Sequence, residues 1–179
     1  MKKYLILCVS AFVFVSISYS QTEFGANYQY SAGKSFSENS FGLSYEGFSV
    51  KNSWTLGINY NLSSFGSTKG TGFDVYAGYR HGFSYGTSGN LFAGLKTSLS
   101  FDKDKSGKDF SIFTPSIEGG YHYTFNNFGQ GGFATPSVGV GYNFWIRPRL
   151  IGGDYGTDKK PEVKDEPVFQ AKIGVGYRF

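Results

Sequence analysis

From residue 22 onward, apolar side chains recur at every second position. The end of the chain shows this most fully. Phe169, Ala171, Ile173, Val175, Tyr177 and Phe179 fall on one face, and Gln170, Lys172, Gly174, Gly176 and Arg178 on the other. Further upstream, Pro136, Val138, Val140, Tyr142, Phe144 and Ile146 alternate with Ser137, Gly139, Gly141, Asn143, Trp145 and Arg147. A repeat of two is the period of a strand with two unlike faces. Eight segments follow it, over residues 22–31, 40–50, 54–62, 72–82, 91–101, 110–125, 133–147 and 168–179. Six carry an apolar-x-apolar-x-Tyr pattern, as in Leu56/Ile58/Tyr60 and Val75/Ala77/Tyr79. The connections are polar and unequal in length, which fits an antiparallel meander and not a stacked repeat. The predicted fold is all-β: an eight-stranded antiparallel up-and-down barrel.

The first twenty residues follow another rule. Lys2 and Lys3 precede an apolar run over residues 4–15, and the small residues Ser18 and Ser20 stand before Gln21. This is the layout of a cleaved secretory signal, so residues 1–20 are read as signal and 21–179 as the mature barrel. Cys8, the only cysteine, leaves with the signal. It is preceded by the bulky Leu5, Ile6 and Leu7 and does not read as a lipid-attachment site. The mature chain then has no disulfide or thiolate–metal chemistry.

Composition agrees with strands. Aromatic residues make up 20% of the chain and glycine 26 of 179 positions, against a usual glycine share of ~7%. Disordered chains lack aromatics, and helices avoid this much glycine. Without Lys2 and Lys3, Lys+Arg falls from 17 to 15 against 13 Asp+Glu, a net charge of +2. That is too small to argue for nucleic acid.

Alternation leaves open which face is wet. A soluble barrel would turn the apolar face inward, and a membrane barrel turns it outward to lipid. Charge placement favours the membrane. Of 28 charged residues in the mature chain, six lie in 102–109 and eight in 154–166. The polar strand faces are mostly Gly, Ser, Asn and Thr, which suit a crowded interior better than a solvated wall. Aromatic positions agree. With both termini periplasmic, Tyr28, Tyr30, Tyr60, Tyr142 and Phe144 end upward strands, while Tyr79, Tyr121, Tyr123, Phe125, Tyr177 and Phe179 end downward ones. Two interfacial girdles result, where a tyrosine ring is apolar and its hydroxyl stays wet.

The last eleven residues, Phe-Gln-Ala-Lys-Ile-Gly-Val-Gly-Tyr-Arg-Phe, resemble the C-terminal insertion signal of bacterial outer-membrane proteins, with Ile173, Val175, Tyr177 and Phe179 as its alternating positions. In architecture the mature chain resembles the small eight-stranded barrels of the OmpA/OmpX type. The resemblance implies placement in a bacterial outer membrane, recognition by the outer-membrane assembly machinery, and surroundings of membrane lipid and lipopolysaccharide.

Inward parity selects Glu23, Glu46, Asp74, Arg80, Lys96, Glu118, Arg147, Lys172 and Arg178 as an interior charge network. Unpaired charge in a narrow barrel is costly, so pairing is expected. Two pairs stand out: Lys96 with Glu118 near mid-height, and Glu23 with Arg178 across the closing seam. Inward glycines at 139, 141, 174 and 176 are expected to leave room for Trp145, Arg147, Tyr76 or Phe92.

Other motifs carry little. The run Asp102–Gly107 begins like a calcium loop, but its twelfth position is Phe113, so a solvated loop is expected. His81 and His122 are too few for a zinc site. His81 has outward parity near Ser84, the pair a lipid hydrolase would need, but at the wrong end of the strand. His122 should join the interior. The Gly-Val-Gly pairs lack a following helix, and Asn61-Leu-Ser63 is discounted as a glycosylation sequon. No catalytic, cofactor or metal site is predicted. The expected function is that of a non-enzymatic, monomeric membrane barrel acting through its loops, above all 152–167. A narrow channel for small or apolar solutes is the alternative, and a lipid-modifying enzyme a third.

Overall fold

The computed structural model describes residues 21–49, 51–66, 68–83, 89–104, 109–125, 130–146 and 165–179. The signal segment, Arg147 and most of the 152–167 connection lie outside them. Eight strands follow in chain order: β1 (Gln21–Ala32), β2 (Phe36–Ser49), β3 (Asn52–Phe65), β4 (Thr68–Gly82), β5 (Gly89–Asp104), β6 (Asp109–Thr124), β7 (Gly131–Ile146) and β8 (Glu166–Arg178). Each pairs antiparallel with the next, and β8 returns to β1 through Glu23↔Arg178 and Phe24↔Tyr177. The sheet is a closed barrel with no free edge.

All eight predicted segments are strands, but most run further than the pattern suggested. The extra length lies mainly at the end carrying the β1–β2, β3–β4, β5–β6 and β7–β8 connections, here the upper end. Residues 36–39, 63–65 and 102–104, expected in loops, are strand. Their apolar repeat ends at the upper girdle, while the polar inward positions continue above it.

The outer wall is apolar. Leu43, Ile58, Val75, Leu95, Ile117, Val140, Ile173 and Val175 point outward and are between 42% and 62% exposed. Glu23, Asn27, Gln29, Asn59, Asp74, Arg80 and Glu118 are buried inside. A soluble barrel would invert this, so the wall faces hydrocarbon. Around the upper end, Tyr28, Phe41, Tyr60, Phe73 and Phe101 are successive register partners across five strands. Ring centroids are 5.0 Å apart for Tyr28–Phe41 and 5.3 Å for Phe73–Phe101. The lower girdle includes Trp54–Tyr79 at 4.9 Å and Tyr177–Phe179 at 5.2 Å.

The β6–β7 ladder is interrupted twice. Pairing stops after Phe113↔Phe144 and resumes at Ser116↔Gly141, then skips again between Gly120↔Ser137 and Tyr123↔Ala134. Pro115 and Pro136, which have no N–H to give, fall in the two gaps. Side chains bridge both. Thr114 Oγ1 donates to Asn143 Oδ1 at 2.7 Å, and His122 Nδ1 lies 2.7 Å from Thr135 Oγ1.

Candidate functional site

The interior is built in layers. In the lower half, Arg80 on β4 reaches two carboxylates: Nη1 to Glu46 Oε2 at 2.6 Å and Nε to Glu118 Oε1 at 2.7 Å. The Ser53 hydroxyl also donates to Glu46. Arg80, Gly94 and Glu118 are successive register partners. A side chain at Gly94 would press on Arg80, so this glycine keeps the row open for the guanidinium. The Arg80 guanidinium lies over the Phe92 ring, 4.5 Å from its centre.

At the closing seam, Glu23 Oε1 accepts from Arg178 Nε and Nη2, both at 2.7 Å. His122 Nε2 lies 2.9 Å from Arg178 Nη2 and 3.0 Å from Glu23 Oε1. Its proton decides which of the two it serves. Glu23 and Glu46 stand directly opposite each other on β1 and β2. Like charges so placed destabilise a sheet. Here each turns to its own arginine.

At mid-height Asn59 Nδ2 donates to both oxygens of Asp74, at 3.0 and 3.2 Å. Lys172 Nζ donates to Tyr76 Oη at 2.8 Å and lies 4.1 Å from that ring's centre. Lys96 Nζ donates to Gln29 Oε1 at 2.6 Å. The expected Lys96–Glu118 pair is therefore replaced. Lys96 aligns with Ser116, while Arg80 meets Glu118 straight across Gly94. The room made by glycine also differs from expectation. Gly57 makes way for Tyr76, Gly120 for Phe92, and Gly25 and Gly176 for Phe133. Below mid-height a small cleft, partly open to solvent and with room for about one water, is lined by Glu23, Glu46, Arg80 and Lys172 among others.

The upper layers were missed in the sequence. Glu38, Ser40, Asn61, Ser63 and Asp102 are buried there. Asp102, expected in a solvated loop, is a β5 residue 2% exposed. Above it Phe36, Phe65, Ile112 and Val168 form an apolar cluster with Phe110 and Trp145 against it. Phe65 meets Phe110 at 4.7 Å and Trp145 at 5.0 Å between ring centres. Glu166, also missed, accepts from the backbone and hydroxyl of Ser35 at 3.0–3.2 Å and ties the β1–β2 connection to β8. The signal was present: Glu38 and Asp102 continue the inward parity of Glu46 and Lys96.

Arg147 and Ser84 lie outside the described residues. His81, on the outer face, has Nδ1 2.8 Å from Asn52 Oδ1. Asn61 is fully buried and offers no glycosylation site. Ile173, Val175, Tyr177 and Phe179 face outward, and the Phe179 N–H donates to Thr22 O at 2.9 Å. No group of three His, Cys, Asp or Glu side chains suited to a metal ion occurs among the described residues.

A closed eight-stranded barrel with a polar interior and an apolar wall is the architecture of the small membrane barrels. Solved structures share it. Neisserial surface protein A aligns with a TM-score of 0.54 at 14% identity, over 88% of this chain and 94% of that one. Ail, the attachment invasion locus protein of Yersinia pestis, in complex with the heparin analogue sucrose octasulfate, aligns at 0.53 and 13% identity, over 89% of this chain and 98% of that one. At such identities the likeness is one of fold. No protein-family model and no curated protein matches the chain.

Proposed function

We propose that the chain is a bacterial outer-membrane protein without chemistry of its own, serving membrane structure or surface contact through the connections at its upper end. In this reading residues 1–20 are removed on export, and the assembly machinery takes the barrel by its last strand. Both termini are periplasmic, and the single barrel sits among lipid and lipopolysaccharide. The fold shared with Neisserial surface protein A and with Ail, named for attachment and invasion, supports a surface role.

One observation carries the choice against a channel. The interior is filled along its height, with Arg80 and its two carboxylates in the lower half, Tyr76 and Lys172 crossing the middle and the Phe36–Phe65–Ile112–Val168 cluster closing the top. Barrels of eight strands are generally filled in this way. The test is planar-bilayer recording of barrel purified from an outer-membrane fraction, after its heat-dependent gel migration has verified closure. No stable conductance steps are expected. Large, lasting pores would overturn the reading in favour of transport.

A further inference from the structure

We propose that the upper interior layer binds one hard divalent cation of the calcium type, held by Glu38, Asp102 and Asn61. The site goes beyond the surface role above and does not depend on it.

Glu38 is 5% exposed, Asp102 2% and Asn61 0%. Ser40 Oγ donates to Glu38 Oε1, and Ser63 Oγ to Asp102 Oδ2, both at 3.0 Å. Ser63 is the register partner of Glu38, so the two carboxylates flank one residue. The second oxygen of each, Glu38 Oε2 and Asp102 Oδ1, is buried without a hydrogen-bond partner. Both amide atoms of Asn61 are too. The Asn61 amide lies within reach of the Asp102 and Asp74 carboxylates, and both of these act on Glu38, so these side chains are neighbours in one layer. Neither carboxylate has an ion-pair partner among the described residues, and Lys96, the cation that acts on Glu38, spends its Nζ on Gln29.

Two buried carboxylates with spare oxygens are costly unless positive charge reaches them. Two carboxylate oxygens, an amide oxygen and nearby hydroxyls form an all-oxygen donor set, which suits calcium with its many ligands and flexible geometry. Histidine and cysteine are absent from the layer, which disfavours a softer metal. Gly72 shapes the site. It is the register partner of both Asn61 and Asp102, and a side chain there would collide with the Asp102 carboxylate. Above, the aromatic cluster keeps solvent away and slows exchange of the ion.

The competing solution is a proton: one of the two carboxyls stays neutral and the layer binds nothing. Thermal unfolding of the detergent-purified barrel after refolding in calcium, magnesium or EGTA separates the two. Calcium should raise the unfolding temperature by ~5 °C or more over EGTA, the size expected for a ligand well above its Kd. Magnesium, which demands tighter geometry, should do less. The isosteric Glu38→Gln/Asp102→Asn variant should lose the response and in EGTA should match the unaltered barrel. If the double variant does not fold, Asn61→Ala should show a reduced calcium response, and terbium luminescence of the unaltered barrel should be quenched by calcium. Equal melting in calcium and EGTA, or an unchanged response in the variants, would overturn the proposal.

Discussion

In the lower half of the barrel Arg80 lies between Glu46 and Glu118, and Arg178 holds Glu23 across the seam. In the upper half Glu38 and Asp102 have one serine hydroxyl each. Both halves obey the same inward parity and both bury carboxylates almost completely. They differ in how the charge is balanced. Below, cations are built into the strands and flanked by rings: Phe92 under Arg80, and Phe48 4.8 Å from Arg178. Above, the strands supply acids, amides and hydroxyls and then an apolar cluster. A barrel interior is thus a stack of separate electrostatic problems. The lower one is solved within the chain, and the upper one calls for charge from outside it.

The strongest way to break this comparison is Arg80→Leu. Removing one partner of a buried ion pair leaves uncompensated charge, and here two carboxylates are stranded together. A loss of about 3–5 kcal/mol is expected, read as a shift in urea unfolding of the refolded barrel. Adding Glu46→Gln and Glu118→Gln should recover most of it. Asp102→Asn, by contrast, should change stability by less than about 1 kcal/mol in EGTA, since it removes a buried charge that has no ion-pair partner among the described residues. Equal losses in the two halves would erase the distinction.

A smaller effect should follow from reversing Glu23. Glu23→Lys places three basic groups, with Arg178 and His122, at the closing pair of strands and should cost about 2–4 kcal/mol. Adding Arg178→Glu restores opposite charge across the same register pair and should return at least half of the loss. Pairing across the seam means nothing energetically if the double variant is no better than the single one.

These contrasts also show what was readable in the sequence. Strand number, face and seam were legible because lipid imposes a strict period of two on the wall: Ile173, Val175, Tyr177 and Phe179 can only point out together. The partners of Lys96 and Glu118 were not. Parity says that a side chain points inward, but height and reach across a tilted sheet decide whom it meets. Gly94, silent in the pattern, lets Arg80 take Glu118. The upper layer was missed for another reason. Beyond the girdle the wall no longer faces hydrocarbon, so the apolar half of the alternation fades at Ser37, Asn39 and Lys103. Only the inward half, Glu38 and Asp102, persists, and a run of polar residues then reads as loop.

The β6–β7 seam offers the finest test of how side chains stand in for backbone. Where Pro115 and Pro136 interrupt the ladder, Thr114–Asn143 and His122–Thr135 cross the gap. Thr114→Val keeps the shape of the side chain and removes its hydroxyl. Asn143, 1% exposed and with its Nδ2 already lacking a partner, then loses its remaining described hydrogen bond. A loss of about 1–2 kcal/mol is expected, the usual penalty for an orphaned buried polar group. Hydrogen exchange should locate it. Amides flanking the upper gap, at residues 113 and 144, should exchange faster in the variant, while those of the unbroken β3–β4 ladder stay protected. Uniform loosening of both seams would mean that Thr114 acts through general packing, and that the proline gap needs no bridge.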